Sequence, residues 1–340
     1  MPVVKANAYG HGMIAIAREA VAAGADALAV ARVAEALELR RGGIGIPILV
    51  FEIPSTASIG AALAEGIEFT VSTAASARDI SAAASRAGTT CRVHVKVDTG
   101  MTRLGFPDRT APGEIAELLR LPRLELAGVY SHFATSDEAD STFALLQIAR
   151  FHEFLGRLRR EGVEPPLRHM ANSGAIIGLP DARFDMVRPG IMLYGYPPSR
   201  TMAQKFPLTP VMSLVSTISM LRMVDPWTTV SYGRRYAAPC RTTIATVPVG
   251  YGDGYSRLLT GKAAVLIRGR RYPVAGTICM DHIMVDLGPD TDCRTGDPVT
   301  LVGRDGEEWI TAWDIASALG TIPYEVTCAV AARVPRDVVD

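Results

Sequence analysis

The stretch Met1-Pro-Val-Val-Lys-Ala-Asn-Ala-Tyr-Gly-His-Gly12 sets the pattern for everything up to about residue 200. A short apolar run, Val3-Val4, reads as a buried strand ending in Lys5. A loop with Tyr9 and two glycines follows, and a helix opens after it. The same unit recurs along the chain. Apolar runs at 27–30, 48–51, 69–71, 93–97, 126–130, 167–170 and 186–187 (continuing into 191–193) alternate with segments at 14–23, 34–41, 57–64, 74–87, 112–119 and 143–161. The second set carries Ala, Leu, Glu and Arg at helical spacing, which favours helix by both propensity and period. Regular β–α alternation implies a parallel sheet with helices outside it. Eight such strands are the count of a (β/α)8 TIM-type barrel, whose active site lies at the C-terminal ends of the strands. The competing arrangement is a doubly wound open sheet, but no glycine-rich dinucleotide fingerprint follows any of the strands.

Near Tyr196-Pro-Pro-Ser199 the texture changes. Runs rich in Thr, Val and Ile at 211–223, 244–249, 263–267, 283–287 and 298–302 are separated by turn signals, and helical periodicity returns only at 312–319. The expected organisation is a barrel over residues 1–200 and a mainly β domain over 201–340, in keeping with ordinary domain sizes. The bulk numbers agree with an ordinary globular protein. The chain has 340 residues, 48% of them apolar, and its 35 basic side chains balance 35 acidic ones. That balance gives no reason to expect a nucleic-acid or acidic-membrane partner. With no apolar run long enough for a membrane span, the expected location is the cytoplasm. Five scattered cysteines without paired metal-ligand spacing read as reduced thiols, and no metal site is expected.

In a barrel the strand ends converge on one mouth, and here they are chemically rich. The first ends in Lys5, with Tyr9 beyond it. The fifth ends in Lys96-Val-Asp-Thr-Gly-Met-Thr-Arg103, and the sixth in Tyr130-Ser-His132-Phe. The seventh ends in His169-Met-Ala-Asn172-Ser173-Gly174, and the eighth in Arg188-Pro-Gly190-Ile191. Each has a plainer role to weigh. Lys5 could be a surface lysine, Asp98 a turn cap, His132 a satisfied core histidine, and Arg188 a partner for any carboxylate. Several such groups at equivalent strand ends are harder to explain as packing. Desolvation disfavours an ammonium ion, so a lysine at this mouth can act as nucleophile or base near neutral pH. Asn172-Ser173-Gly174 and Gly190-Ile191 offer a hydroxyl and backbone N–H groups after the last two strands, the recurrent barrel site for phosphate. A phosphate site facing an activated lysine points to pyridoxal 5'-phosphate held as a lysine imine.

The ordered blocks Val3-Val-Lys-Ala-Asn-Ala-Tyr-Gly-His-Gly12, KVDTGMTRLG (96–105), SHFAT (131–135), MVRPGIMLYG (186–195), Ser231-Tyr232-Gly233, PVGYGDG (248–254), GTICMD (276–281) and YEVTCAVAARVPR (324–336) resemble the bacterial alanine racemases over essentially the whole chain. The resemblance implies interconversion of L- and D-alanine by a two-base mechanism on a pyridoxal-phosphate aldimine, supplying D-alanine for peptidoglycan. Lys5 is then the base facing D-alanine. Tyr232, contributed by the other subunit of a homodimer, is the base facing L-alanine. Arg103 holds the substrate carboxylate with the Met280 backbone of the partner. Tyr9, Ser173, Gly190, Ile191 and Tyr324 bind the phosphate, with Asn172 beside them. Arg188 faces the pyridine nitrogen, His132 lies between it and Tyr232, and Asp281 belongs to the catalytic set. In the family the lysine matching Lys96 can be carbamylated and support the arginine. Broader amino-acid or serine racemisation is the nearest rival activity. A decarboxylase of the same fold fits less well, because Arg188 stands where it would need a carboxylate. A single-barrel cofactor carrier would lack the β domain. Family members usually carry roughly thirty residues before the signature lysine, forming a strand and a helix, whereas only Met1–Val4 precede Lys5 here. The expectation is an unpaired edge in the β domain and an uncovered part of the barrel.

Overall fold

The computed structural model describes residues 1–203 and 206–339. They separate into two compact units, Met1–Thr209 and Pro210–Asp340.

In the first unit the strands are β1 (Leu28–Val30), β2 (Ile48–Val50), β3 (Glu68–Val71), β4 (Cys91–Asp98), β5 (Phe106–Pro107), β6 (Leu124–Tyr130) and β7 (Arg168–His169). They form a parallel sheet in the order β1-β2-β3-β4-β6-β7, with the short β5 paired to the end of β4. Every residue of β1, β2 and β3 is buried, which is why these strands read as continuous runs and not as alternating ones. Two further segments close the ring. Val3 bridges Ala29 and Met186 bridges His169, both in parallel, and the Val3 N–H donates to Pro189 O at 2.9 Å. The runs at 3–4 and 186–187, expected as full strands, are single bridges. Pro2 and Pro189 have no N–H to extend a ladder, and the chain turns sharply at Lys5.

That turn is not the loop the sequence suggests. Ala6, Asn7, Ala8 and Tyr9 all lie in the left-handed helical region, with φ of 52°, 53°, 54° and 52°. For L-residues this conformation costs about 1–2 kcal/mol each, and only Asn visits it readily. The strain is held by a dense set of bonds: Ala8 N to Val4 O, Gly10 N to Ala6 O, and Gly12 N to Asn7 O. Glu35 Oε1 accepts from Ala6 N at 2.6 Å, and Asn7 Oδ1 accepts from Met13 N at 2.8 Å. Strain this well secured concentrates at functional segments.

Helices flank the sheet. The longest, Thr142–Arg160, buries Ala144, Gln147, Ile148, Phe151, Phe154, Leu155 and Leu158, a stripe of helical period. Gln147 is the polar exception. It sits fully buried and ties two loops together, donating to His132 O and Thr99 Oγ1 and accepting from Ala134 N.

The second unit is mainly β. Its strands are β8 (Leu214–Thr217), β9 (Met220–Val224), β10 (Thr229–Val230), β11 (Tyr236–Ala237), β12 (Thr242–Val247), β13 (Ala264–Ile267), β14 (Arg270–Pro273), β15 (Ile283–Asp286), β16 (Pro298–Asp305) and β17 (Glu308–Ile310). One sheet runs β15-β12-β9; another runs β14-β13-β16-β17 with β8 also on β16; β10 and β11 pair alone. The run at 211–223 divides because Ile218 and Ser219 turn the chain from β16 towards β12. Ile218 N bonds to Asp297 O, and Ser219 N to Thr246 O. One core unites the sheets, including Leu214, Val247, Val265, Ile283, Val299 and Ile315. The helix Ala312–Leu319 opens on a Thr311–Asp314 capping box.

Candidate active site

The strand ends of the first unit gather the expected groups. Lys5 follows fully buried Val4 and begins the left-handed turn, which carries Tyr9 inward to 8% exposure beside Tyr194. Asn172 caps the helix Ser173–Gly178, its Oδ1 accepting from Ala175 N and from Ser136 Oγ. Ser173 Oγ accepts from Gly190 N at 2.9 Å and from Met192 N at 3.3 Å. A Cβ on Gly190 would stand 2.9 Å from Tyr9 Oη and 3.8 Å from Ser173 Oγ, so glycine is what leaves room between the two hydroxyls. Ile191, fully buried, starts the following 3-10 turn. Two hydroxyls and inward-facing amides in one small space are a donor set suited to a phosphate monoester.

Arg188 is 2% exposed. Its Nη1 donates to His169 Nδ1 at 2.7 Å, and its Nη2 to Ser131 O at 2.7 Å and Met170 O at 3.0 Å, with His132 Nδ1 at 3.5 Å. Burial lowers its pKa to about 10, which still leaves it charged at neutral pH. Burial among Arg188, Lys96, Arg103 and Lys5 holds half-buried His132 well below the ordinary imidazole range, so this histidine is neutral. Asp98, at the end of β4, does cap a turn. Its Oδ1 accepts from Gly100, Met101 and Thr102 N, shaping the loop that carries exposed Arg103.

Lys96 is 4% exposed, its Nζ has no hydrogen-bond partner among the described residues, and it lies 5.2 Å from the centre of the Tyr130 ring. Burial, with the charge of Arg188, drops its pKa from 10.5 to about 7. Between those values the unfolded chain holds a proton that the folded chain does not, so stability rises with pH across that window. In carbonate-free buffer, unfolding free energies should show wild type gaining on Lys96→Met by roughly 1.4 kcal/mol per pH unit from about pH 7 upward. Below about pH 7 the difference should be flat. A difference constant from pH 6 to 10 would contradict the assignment.

In the second unit another group forms by itself. Ser231 Oγ donates to Thr277 O, and Thr277 Oγ1 to Tyr232 O. Tyr251 N donates to Cys279 O, and Gly252 N to Met280 O. Arg333 donates through Nε to Asp253 Oδ1 and through Nη2 to Asp281 Oδ1. The blocks at 231–233, 250–254 and 276–281 thus share one surface, on which Tyr232 is 72% exposed and Met280 52%. Tyr324 sits in the helix Pro323–Cys328, an element not anticipated from the sequence.

Several contributing residues escaped the sequence analysis: Glu35 under the strained turn, Gln147 behind the loops, and Glu68 and His94 inside barrel strands. Glu68 and His94 carried a usable signal. A charged or titratable side chain within an otherwise apolar barrel strand must be paired.

A closed parallel barrel with a lysine, an arginine and a hydroxyl cradle at its strand ends, on a chain with a second β unit, defines a barrel enzyme. The comparisons specify which. Residues 1–198 match the family described as alanine racemase, N-terminal domain, and residues 211–338 match alanine racemase, C-terminal domain. An alanine racemase of Desulforamulus reducens is 46% identical over 99% of this chain and 90% of its own length. The structure of an alanine racemase from Clostridium difficile 630 superposes with a TM-score of 0.94 at 40% identity, covering 98% of this chain and 87% of that one. One from Bacillus anthracis, with bound L-Ala-P, gives 0.93 at 37% identity, covering 98% and 86%. The chain belongs to the alanine racemase family, isomerases that use pyridoxal phosphate. No helix among the described residues is long and apolar enough to cross a membrane.

Proposed function

We propose that this chain interconverts L- and D-alanine in the cytoplasm, as a homodimer, and so supplies D-alanine for peptidoglycan. Residues 1–200 are the cofactor-binding barrel and 201–340 the β domain. The observation that carries the proposal is the strained turn that presents Lys5 and Tyr9 beside the Ser173–Gly190 cradle. Bound at Lys5, pyridoxal 5'-phosphate supplies an electron sink that acidifies the Cα–H of an amino acid.

The chain's own groups do the rest. Tyr9, Ser173, Gly190 and Ile191 would hold the phosphate, and Asn172 fixes the helix start that presents Ser173. Arg188 would donate a hydrogen bond to the ring nitrogen without surrendering its proton, since its pKa stays far above neutral. Arg103 and the partner's Met280 backbone bind the substrate carboxylate. Asp281, through Arg333, steadies the loop bearing Met280. Lys5 Nζ handles the proton on the D face and Tyr232 Oη, from the partner, the one on the L face. Neutral His132 links Tyr232 to Arg188 and helps set the basicity of the phenol. A carbamate on Lys96, formed when its neutral Nζ adds to carbon dioxide and loses a proton, would turn an unpartnered amine into an anion supporting Arg103.

The test is a racemisation assay on purified protein with L-alanine, D-alanine and L-serine. From either alanine enantiomer the mixture should reach equal amounts of both, with serine slower by roughly tenfold or more, because one added hydroxyl needs a partner in the pocket. Turnover of serine without alanine would assign the rival specificity. Loss of carbon dioxide from either substrate would assign the decarboxylase.

A further inference from the structure

Arg188 is a buried cation that touches no carboxylate among the described residues; its nearest partners are two imidazoles and two carbonyls. The negative charge lies further along the same chain of bonds. A guanidinium only donates, so His169 Nδ1 accepts and the His169 proton sits on Nε2. That nitrogen is 2.9 Å from His94 Nδ1, which must accept in turn. The His94 proton is then on its own Nε2, 2.9 Å from Glu68 Oε2. Glu68 Oε1 meets Arg92 Nη1 at 2.6 Å, and Arg92 is half-exposed. Each tautomer is forced by the one before it, and the whole line has a single direction, from guanidinium to carboxylate.

The backbone is built around this line. The register of β4 against β6 slips between Val93 and His94. Opposite the slip, a Cβ on Gly128 would fall 2.8 Å from His94 Nδ1 and 2.9 Å from Leu167 O. Tyr130 stacks flat on His169, ring centres 4.8 Å apart and planes 6° apart. Both histidines and Glu68 are at most 5% exposed.

We propose that Glu68 is the remote counter-charge of Arg188, and that Glu68, His94 and His169 are positioning residues that hold the guanidinium as a donor which keeps its proton. Buried hydrogen bonds in series polarise one another, so a carboxylate at one end is felt at the other. Removing its charge makes Arg188 a more acidic donor, and the ring nitrogen gains proton character. This functional half rests on the assignment of Arg188 to the ring nitrogen. The tautomer half does not, so the two can fail separately.

The test uses protein labelled with 15N in histidine, with and without pyridoxal phosphate. Two-dimensional nitrogen–proton spectra should show His94 and His169 neutral and protonated on Nε2 in both forms. An Nδ1–H tautomer or an imidazolium at either position would overturn the relay, and this needs no variant. Glu68→Gln keeps an acceptor for His94 and should keep both tautomers. Its holoenzyme should lose more turnovers to transamination, in which alanine leaves as pyruvate and its amino group stays on the cofactor as pyridoxamine phosphate; pyruvate per racemisation event should rise roughly three- to tenfold, the scale of coupling through such a line, and Glu68→Asp should return the ratio towards wild type. An unchanged pyruvate ratio in a folded Glu68→Gln protein would overturn the counter-charge role, since a purely structural residue would lower total activity without moving this partition. Should Arg188→Lys also leave the ratio unchanged, the fault lies in the Arg188 assignment.

Discussion

Lys5→Ala should remove racemisation almost entirely, on the order of a thousandfold or more, along with the visible absorbance of lysine-bound cofactor. On the proposed assignment two functions are lost at once: the covalent anchor and the base on the D face. The fold should survive. The left-handed turn is braced by backbone bonds among Val4, Ala6, Asn7, Ala8, Gly10 and Gly12 and by the side chains of Asn7 and Glu35. Pyridoxal phosphate should still associate through the Ser173–Gly190 cradle, now reversibly by dialysis. Spectra and melting temperature therefore separate loss of chemistry from loss of structure. Lysine-type absorbance that persists in this variant would move the anchor to another residue, and Lys96, with its lowered pKa, would be the first candidate.

Tyr232→Phe is expected to cost roughly 10² to 10⁴ in turnover, the range of a removed general base. It should do so asymmetrically. Lys5 remains, so the variant should still exchange the α-hydrogen of D-alanine with solvent while producing little L-alanine. Stability should hardly change, because Tyr232 is 72% exposed and the hydrogen bond from Thr277 Oγ1 is accepted by its backbone carbonyl, not its phenol. Loss of exchange from both enantiomers in equal measure would argue that Tyr232 orders the site and is not one of two bases. The proposed homodimer is open to test with the same two variants. If the phenol comes from the partner, mixing inactive Lys5→Ala and Tyr232→Phe subunits should restore activity, because the mixed dimer contains one intact site.

The barrel was legible because strands buried on both faces leave unbroken apolar runs, and because groups such as Lys5, Arg188 and Asn172 stand directly after those runs. The strained turn was not. Ala-Asn-Ala-Tyr offers no glycine until Gly10, and only Asn7 has any local tolerance for positive φ; Glu35, from the neighbouring helix, imposes the rest. Strand length misled in the same place, since Pro2 and Pro189 cut two expected strands to single bridges. Gln147 and Glu68 were passed over for a common reason. Each sits at a position whose periodicity marks it as core, and a buried polar group declares its role only when the partner, distant in sequence, is known. The second unit hid least in its chemistry and most in its detail: its glycine-rich blocks marked the turns, while the switch at Ile218 depends on two strands competing for one segment.

The two-base account is tested most directly by racemising L-alanine in deuterium oxide and following both enantiomers from the first turnovers. Lys5 Nζ carries solvent-exchanged protons, whereas a phenol facing the L side returns the hydrogen it has just removed. D-alanine should therefore appear already deuterated at Cα while the remaining L-alanine stays protiated. D-alanine that retains the substrate's own hydrogen, or deuterium entering both enantiomers at the same rate, would contradict it.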